Sequence, residues 1–236
     1  MLHQIDQSLR RLQTDYVDIY EMHIADPDTP IEESIAVMDQ LIDHGKVRYW
    51  GFSNFTASQI HKIVTLCDDN GWRRPVVSQP NLSWLMRESE DAYIPTCIDY
   101  DIAATPYRTL EAGMLTGKYQ RGIPVPSDSR AAELPSSISI DDDMFDRLES
   151  FEQEAREAEL EPVQYAVKWV FDRRGVHSVI VGGKRIDQLE PLIDIRCMGK
   201  KTVIFLNITT KMDLLISLFI KCFGNIINQF EKKYKI

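Results

Sequence analysis

His23, Ser53 and Asn54 are the residues whose types and placing most invite chemistry. His23 closes the run Tyr16-Val17-Asp18-Ile19-Tyr20-Glu21-Met22, and Ser53-Asn54 closes the run Gly45-Lys46-Val47-Arg48-Tyr49-Trp50-Gly51-Phe52. Each run reads as a buried strand that delivers polar groups at its C-terminal end. In a parallel barrel those ends are where ligands bind, because the loops that follow the strands gather on one face. His3, His44, His61 and His177 have no comparable setting and are read as structural or solvated. Asp141-Asp142-Asp143 reads as a helix N-terminus, where negative charge is favoured, and not as a metal site.

The elements that would position these groups alternate along the chain. Leu2, Ile5, Leu9 and Leu12 repeat at helical spacing ahead of the strand Tyr16–His23. Thr29-Pro30-Ile31-Glu32 has the form of a capping box with Pro at the first helical position, and the amphipathic run after it stops at Gly45. Thr56-Ala57-Ser58-Gln59 opens a second capped helix that ends near Gly71, before a short strand Pro75–Gln79. A helix is expected around Glu88–Tyr100, then a strand Ile102–Thr105. A long Gly/Pro/Ser-containing stretch, Pro106 to Ser139, separates these from helices at Asp143–Glu159 and Pro162–Arg173. His177–Val181 is the fifth strand, and a helix is expected near Ile186–Ile193. Strands alternating with helices at this spacing predict βαβ units and a parallel sheet.

Composition narrows the setting. The chain has 236 residues, 44% apolar and 27% charged, as ordinary globular proteins do. Its net charge of −9 argues against nucleic acid as a partner, since phosphate binding needs a basic face. Cys67, Cys97, Cys197 and Cys222 are widely separated, show no metal-ligand spacing and follow no secretory signal, which predicts reduced thiols and a cytoplasmic location. From Lys200 onward seven Lys face only Asp213 and Glu231, so this tail carries +5 and the residues before it −14. Its longest apolar stretch, Leu214 to Ile220, is far below the roughly 20 residues of a membrane span, leaving an amphipathic helix as the expectation.

From about Leu9 to Leu189 the sequence resembles the aldo-keto reductase family. The blocks that carry the resemblance come in order: Ser8-Leu9-Arg10-Arg11-Leu12 ahead of Asp15-Tyr16-Val17-Asp18-Ile19-Tyr20; His23 with Asp26 and Pro30; Gly45-Lys46-Val47-Arg48-Tyr49 with Gly51-x-Ser53-Asn54; Gln79; Leu110-x-x-Gly113-x-Leu115-Thr116-Gly117-Lys118-Tyr119; and Val181-Gly182-Gly183-Lys184 with Gln188-Leu189. The Leu-Thr-Gly-Lys-Tyr block is most similar to the longer microbial branch. The resemblance implies a (β/α)8 barrel that binds NADP(H), with NAD(H) left open, and reduces a small aldehyde or ketone by hydride transfer. It implies that His23 borders and orients the substrate oxygen, that Ser53, Asn54 and Gln79 hold the nicotinamide carboxamide, and that Tyr107 stacks on the nicotinamide ring. Arg108, Leu110, Lys118 and Arg130 would fold over the pyrophosphate. Gly182, Lys184 and Gln188 would surround the adenosine 2′-phosphate, with Arg185 adding charge.

Departures from the family pattern carry expectations of their own. The usual Tyr-Ser-Pro-Leu is Tyr107-Arg108-Thr109-Leu110 here, and a Glu-Asn pair near the adenine falls on Pro191-Leu192, which predicts weaker hold on the adenine end. Carbonyl reduction needs a proton donor, and a tyrosine of ordinary pKa about 10 must be tuned to serve. The family's Tyr, Lys and Asp lie on barrel units earlier than the residue matched by Met1. The chain therefore reads as an incomplete barrel, about the last five βα units, over residues 1–197, with a divergent tail at 198–236. Impaired or absent catalysis is expected of it. The alternative is a non-catalytic nicotinamide-binding or regulatory module, as potassium-channel β-subunit relatives suggest, and exposed sheet edges would favour self-association.

Overall fold

The computed structural model describes residues 1–134, 138, 140–192 and 202–207. Cys197, Cys222, Ile193 and the expected amphipathic stretch Leu214–Ile220 lie outside them. The chain divides into two compact units, one of residues 1–80 and 88–105, the other of residues 81–87 and 106–236.

The first unit alternates helix and strand: α1 (Leu2–Leu12), β1 (Val17–Met22), α2 (Ile31–Asp43), β2 (Val47–Ser53), α3 (Ala57–Asn70), β3 (Val77–Gln79), α4 (Tyr93–Asp99) and β4 (Ala103–Ala104). The strands form one sheet in the order β1-β2-β3-β4, every pair parallel, as the alternation predicts. Side chains alternate across a strand. Trp50 and Phe52 of β2 are fully buried. Trp50 donates through Nε1 to the Arg73 carbonyl beyond α3 at 2.8 Å, and Phe52 meets Tyr93 of α4 edge-on. Ile35, Met38 and Leu41 from α2 and Ile60 and Ile63 from α3 complete this core. Gly51 and Ser53 consequently belong to the sheet's other face.

Helix ends explain most boundaries. Thr56 caps α3 reciprocally with Gln59, and Gly71 ends the helix at φ 68°. The capping box expected at Thr29 does not form. Pro30 is the N-cap of α2, and the Thr29 hydroxyl donates instead to Asp26 Oδ2 at 2.8 Å. Because α2 begins one residue later than the pattern expects, Thr29 precedes the N-cap and its hydroxyl turns back to Asp26. The helix expected over Glu88–Tyr100 is a 3₁₀ turn at Glu88–Glu90 followed by α4. Pro95 lacks an N–H and is accommodated only in a helix's first turn, so α4 starts just ahead of it.

The second unit holds α5 (Arg130–Glu133), α6 (Asp142–Glu157), α7 (Pro162–Phe171), β5 (Ser178–Gly183) and β6 (Thr202–Asn207). Asp141 caps α6 by accepting from the Met144 N–H at 2.9 Å, as the acidic triplet predicts. Glu154 of α6 accepts from Trp84 Nε1 at 2.9 Å and from the Tyr165 hydroxyl at 2.7 Å, binding segment 81–87 and α7 to one helix. Phe151 lies between Trp84 and Tyr165, and Arg87 covers the faces of Trp84 and Trp169. Two 3₁₀ turns, Ile186–Gln188 and Glu190–Leu192, replace the expected helix near Ile186–Ile193, because Pro191 cannot donate to a helical ladder. The Pro106–Ser139 stretch contains a 3₁₀ segment at Glu111–Thr116 as well as α5. β6 pairs in parallel with β5 from Ser178↔Thr202 to Gly183↔Asn207. It falls in the tail and is the strand that sequence patterning does not anticipate.

Candidate functional site

In the first unit the register fixes which residues share a level. Glu21, Gly51 and Val77 align across β1, β2 and β3, and Ser53 aligns with Gln79. A Cβ on Gly51 would lie 2.4 Å from the Val77 carbonyl oxygen, so this position tolerates no side chain. Just past it the polar groups converge. The buried Ser53 hydroxyl donates to the Gln79 carbonyl at 2.8 Å, Asn54 Nδ2 donates to the His23 carbonyl at 2.9 Å, and Gln79 Nε2 donates to Glu21 Oε2 at 2.9 Å. His23 and Asn54 are exposed, and Asn54 stands at φ 58°, a left-handed conformation that Asn adopts more readily than most residues. His23, Ser53, Asn54 and Gln79 thus gather at the C-terminal edge of one parallel sheet.

Glu21 is the member that sequence reasoning passed over. Burial pushes its carboxyl up from the ordinary value to about 7. A partial signal was available: Glu21 lies in β1 two residues before His23, the spacing that shares a face while a strand continues, although β1 ends at Met22.

In the second unit Tyr107 forms a parallel bridge with Asn81, and its carbonyl accepts from the Leu82 N–H at 3.4 Å. Arg108, at φ 58°, pairs with Glu111 at 2.5 Å, and the Ser83 hydroxyl donates to Glu111 at 3.2 Å. The Leu110 carbonyl accepts from the N–H groups of Gly113 and Leu115, closing a loop in which Glu111, Ala112 and Gly113 all have positive φ. Lys118 is exposed, with Nζ 5.1 Å from the Tyr119 ring centre, and Arg130 is exposed at the start of α5. Gly182 is exposed at the end of β5, followed by Gly183, where a Cβ would meet Leu189 at 2.9 Å. Gln188 Oε1 accepts from the Lys184 and Arg185 N–H groups at 2.9 and 3.3 Å. Lys184 pairs with Glu133, while Arg185 pairs with Asp187 at 3.0 Å and Asp128 at 3.4 Å. Of the cations expected around the phosphates, Arg108, Lys184 and Arg185 each already face a carboxylate. Leu192 is fully buried and the Pro191 carbonyl accepts from Gln164, so neither offers the side-chain hydrogen bonds that a Glu-Asn pair would.

In the first unit amide and hydroxyl groups stand at adjoining strand tips. In the second, guanidinium and ammonium groups stand on the loops after Tyr107 and β5.

Comparison with known proteins places these features in a lineage. The family model described as "Aldo/keto reductase family" matches residues 1–199. An Arabidopsis thaliana protein described as "Probable voltage-gated potassium channel subunit beta" is 35% identical over 188 residues, 78% of this chain and 57% of its own length. The Bacillus subtilis (strain 168) protein "Aldo-keto reductase YhdN" is 30% identical over 206 residues, 83% of this chain and 58% of its own. A solved structure of a glycerol dehydrogenase from Gluconobacter oxydans superposes with a TM-score of 0.69 at 23% identity, covering 93% of this chain and 63% of that one. The chain spans rather more than half the length of the curated relatives it matches.

Proposed function

The chain belongs to the aldo-keto reductase family, whose fold is the (β/α)8 barrel, and from that premise we propose that it serves NADPH-dependent reduction of a small aldehyde or ketone. The observation that carries this reading is the linked polar set Ser53, Asn54 and Gln79 at neighbouring strand tips, with His23 tied to Asn54 through its main chain. When bound, the reduced nicotinamide supplies a hydride for the carbonyl carbon. Gln79 and Asn54 orient its carboxamide, and Ser53 holds the Gln79 main chain in place. His23 borders the carbonyl oxygen, where an imidazole can donate a hydrogen bond as charge develops there. Tyr107 provides the ring face for stacking. Arg108, Leu110, Lys118 and Arg130 fold over the pyrophosphate, and Gly182, Lys184 and Gln188 with Arg185 receive the adenosine end. There phosphate must displace Glu133 and Asp128 from their cations, which favours NADP(H) over NAD(H) less than unpaired cations would.

Residues 1–236 taken alone are proposed to turn over slowly, since the resemblance puts the family's Tyr, Lys and Asp on earlier barrel units. The second reading, a non-catalytic nicotinamide-binding or regulatory module, draws on the Arabidopsis relative's description. A cytoplasmic setting is proposed from the buried free thiols of Cys67 and Cys97. Among the described residues no helix is long and apolar enough to cross a membrane. Self-association is proposed at β1, which forms one edge of its sheet.

Following loss of NADPH absorbance with a panel of small aldehydes tests the main reading. Aldehyde-dependent oxidation that falls at least about tenfold in His23→Ala supports it. Tight NADPH binding with no turnover favours the regulatory module.

A further inference from the structure

We infer that Glu21 is a positioning residue that sets which end of the Gln79 amide faces a bound nicotinamide, and that it thereby selects dinucleotides bearing a carboxamide over those bearing a carboxylic acid. This rests on the nicotinamide-binding reading above.

The geometry is unusual for a parallel sheet. β1 and β3 are not neighbours, and strands two apart are separated by roughly 9.5 Å with an intervening row of side chains. Glu21 and Gln79 nevertheless meet at 2.9 Å. The residue of β2 aligned with Glu21 is Gly51, so no side chain stands between them, and the closeness of Val77 keeps that position bare. Gln79 is held at its main chain as well, through the Ser53 hydroxyl.

Two fixed points leave the amide one orientation. Above about pH 7, where Glu21 is ionised, its carboxylate accepts hydrogen bonds and donates none. Glu21 therefore turns the NH₂ end of Gln79 toward itself and leaves Oε1 as the acceptor presented at the strand tips. A nicotinamide carboxamide brings N–H donors to that acceptor. A nicotinic acid carboxylate brings only further acceptors, opposed by both Oε1 and the Glu21 charge.

Calorimetric titration of NADP⁺ and of nicotinic acid adenine dinucleotide phosphate into the wild type, E21L and E21Q at about pH 8.5, where Glu21 is ionised, tests this. The wild type is expected to favour the amide by at least about tenfold. E21L, which removes the acceptor, is expected to bring the two affinities within about threefold of each other. E21Q, which keeps the size of the side chain but can accept from or donate to the Gln79 amide, is expected to lose most of the preference as well, a loss that a merely space-filling role would not give. Should E21L not fold, E21Q carries the test alone. Wild-type discrimination in folded E21L or E21Q overturns the inference while leaving nicotinamide binding intact. Failure of the wild type to bind either dinucleotide overturns the functional reading itself.

Discussion

At the scale of single residues, one half-buried acid and one buried hydroxyl organise the strand tips. Glu21 is held to a pKa of about 7 by desolvation, above its ordinary value. A carboxyl whose folded pKa is raised keeps its proton in the folded state after the unfolded chain has lost it. Its stabilising contribution is complete below the unfolded pKa and disappears as pH rises through about 7. Chemical denaturation across that window is expected to show the wild type losing stability with rising pH, by at most about 3 kcal/mol, and E21Q losing correspondingly less. A slope identical in both proteins would remove Glu21 as its source. Ser53→Ala deletes the donor to the Gln79 carbonyl and is expected to cost about 1 kcal/mol, read as a lowered denaturation midpoint at unchanged slope. At the adenosine end, Glu133→Gln releases Lys184 from one carboxylate, and the ratio of NADH to NADPH dissociation constants is expected to rise several-fold at low salt. An unchanged ratio would mean that Lys184 does not meet the 2′-phosphate.

At the scale of elements, backbone chemistry decided what could be read in advance. All five expected strands are present, because short runs between helix caps announce parallel strands, although β1, at the edge of its sheet, is only half buried where a buried strand is expected. Asp141 and Thr56 cap where expected. Thr29 does not, because α2 starts one residue later with Pro30 as its N-cap, a shift invisible to a four-residue pattern. Pro95 and Pro191 broke two expected helices, and both were legible in principle. The strand-tip residues His23, Ser53, Asn54 and Gln79 were legible because each ends a strand. Glu21 was missed because its significance depends on a glycine one strand away. β6 was missed because its pairing with β5 depends on a partner distant in sequence. Gly51→Ala tests the register: with Val77 so close, the variant is expected to be strongly destabilised or insoluble, whereas a wild-type melting temperature would contradict the β2–β3 geometry. Thr56→Ala, which removes the cap of α3, is expected to cost about 1 kcal/mol.

At the scale of the whole molecule, an acidic chain of the aldo-keto reductase family places Arg108, Lys118, Arg130, Lys184 and Arg185 on the loops that the resemblance assigns to phosphates. Arg108, Lys184 and Arg185 are paired with Glu111, Glu133, Asp128 and Asp187. Self-association at the β1 edge is expected to appear as earlier elution from a size-exclusion column with rising concentration, and an invariant monomer would contradict it. The central claim is that neighbouring strand tips, carrying His23, Ser53, Asn54 and Gln79, hold a nicotinamide. Fluorescence titration of NADPH into the purified protein, with folding checked by circular dichroism, tests it most directly. The account expects saturable binding in the wild type that weakens at least about tenfold in Gln79→Ala. A folded wild type that leaves the NADPH signal unchanged would contradict it.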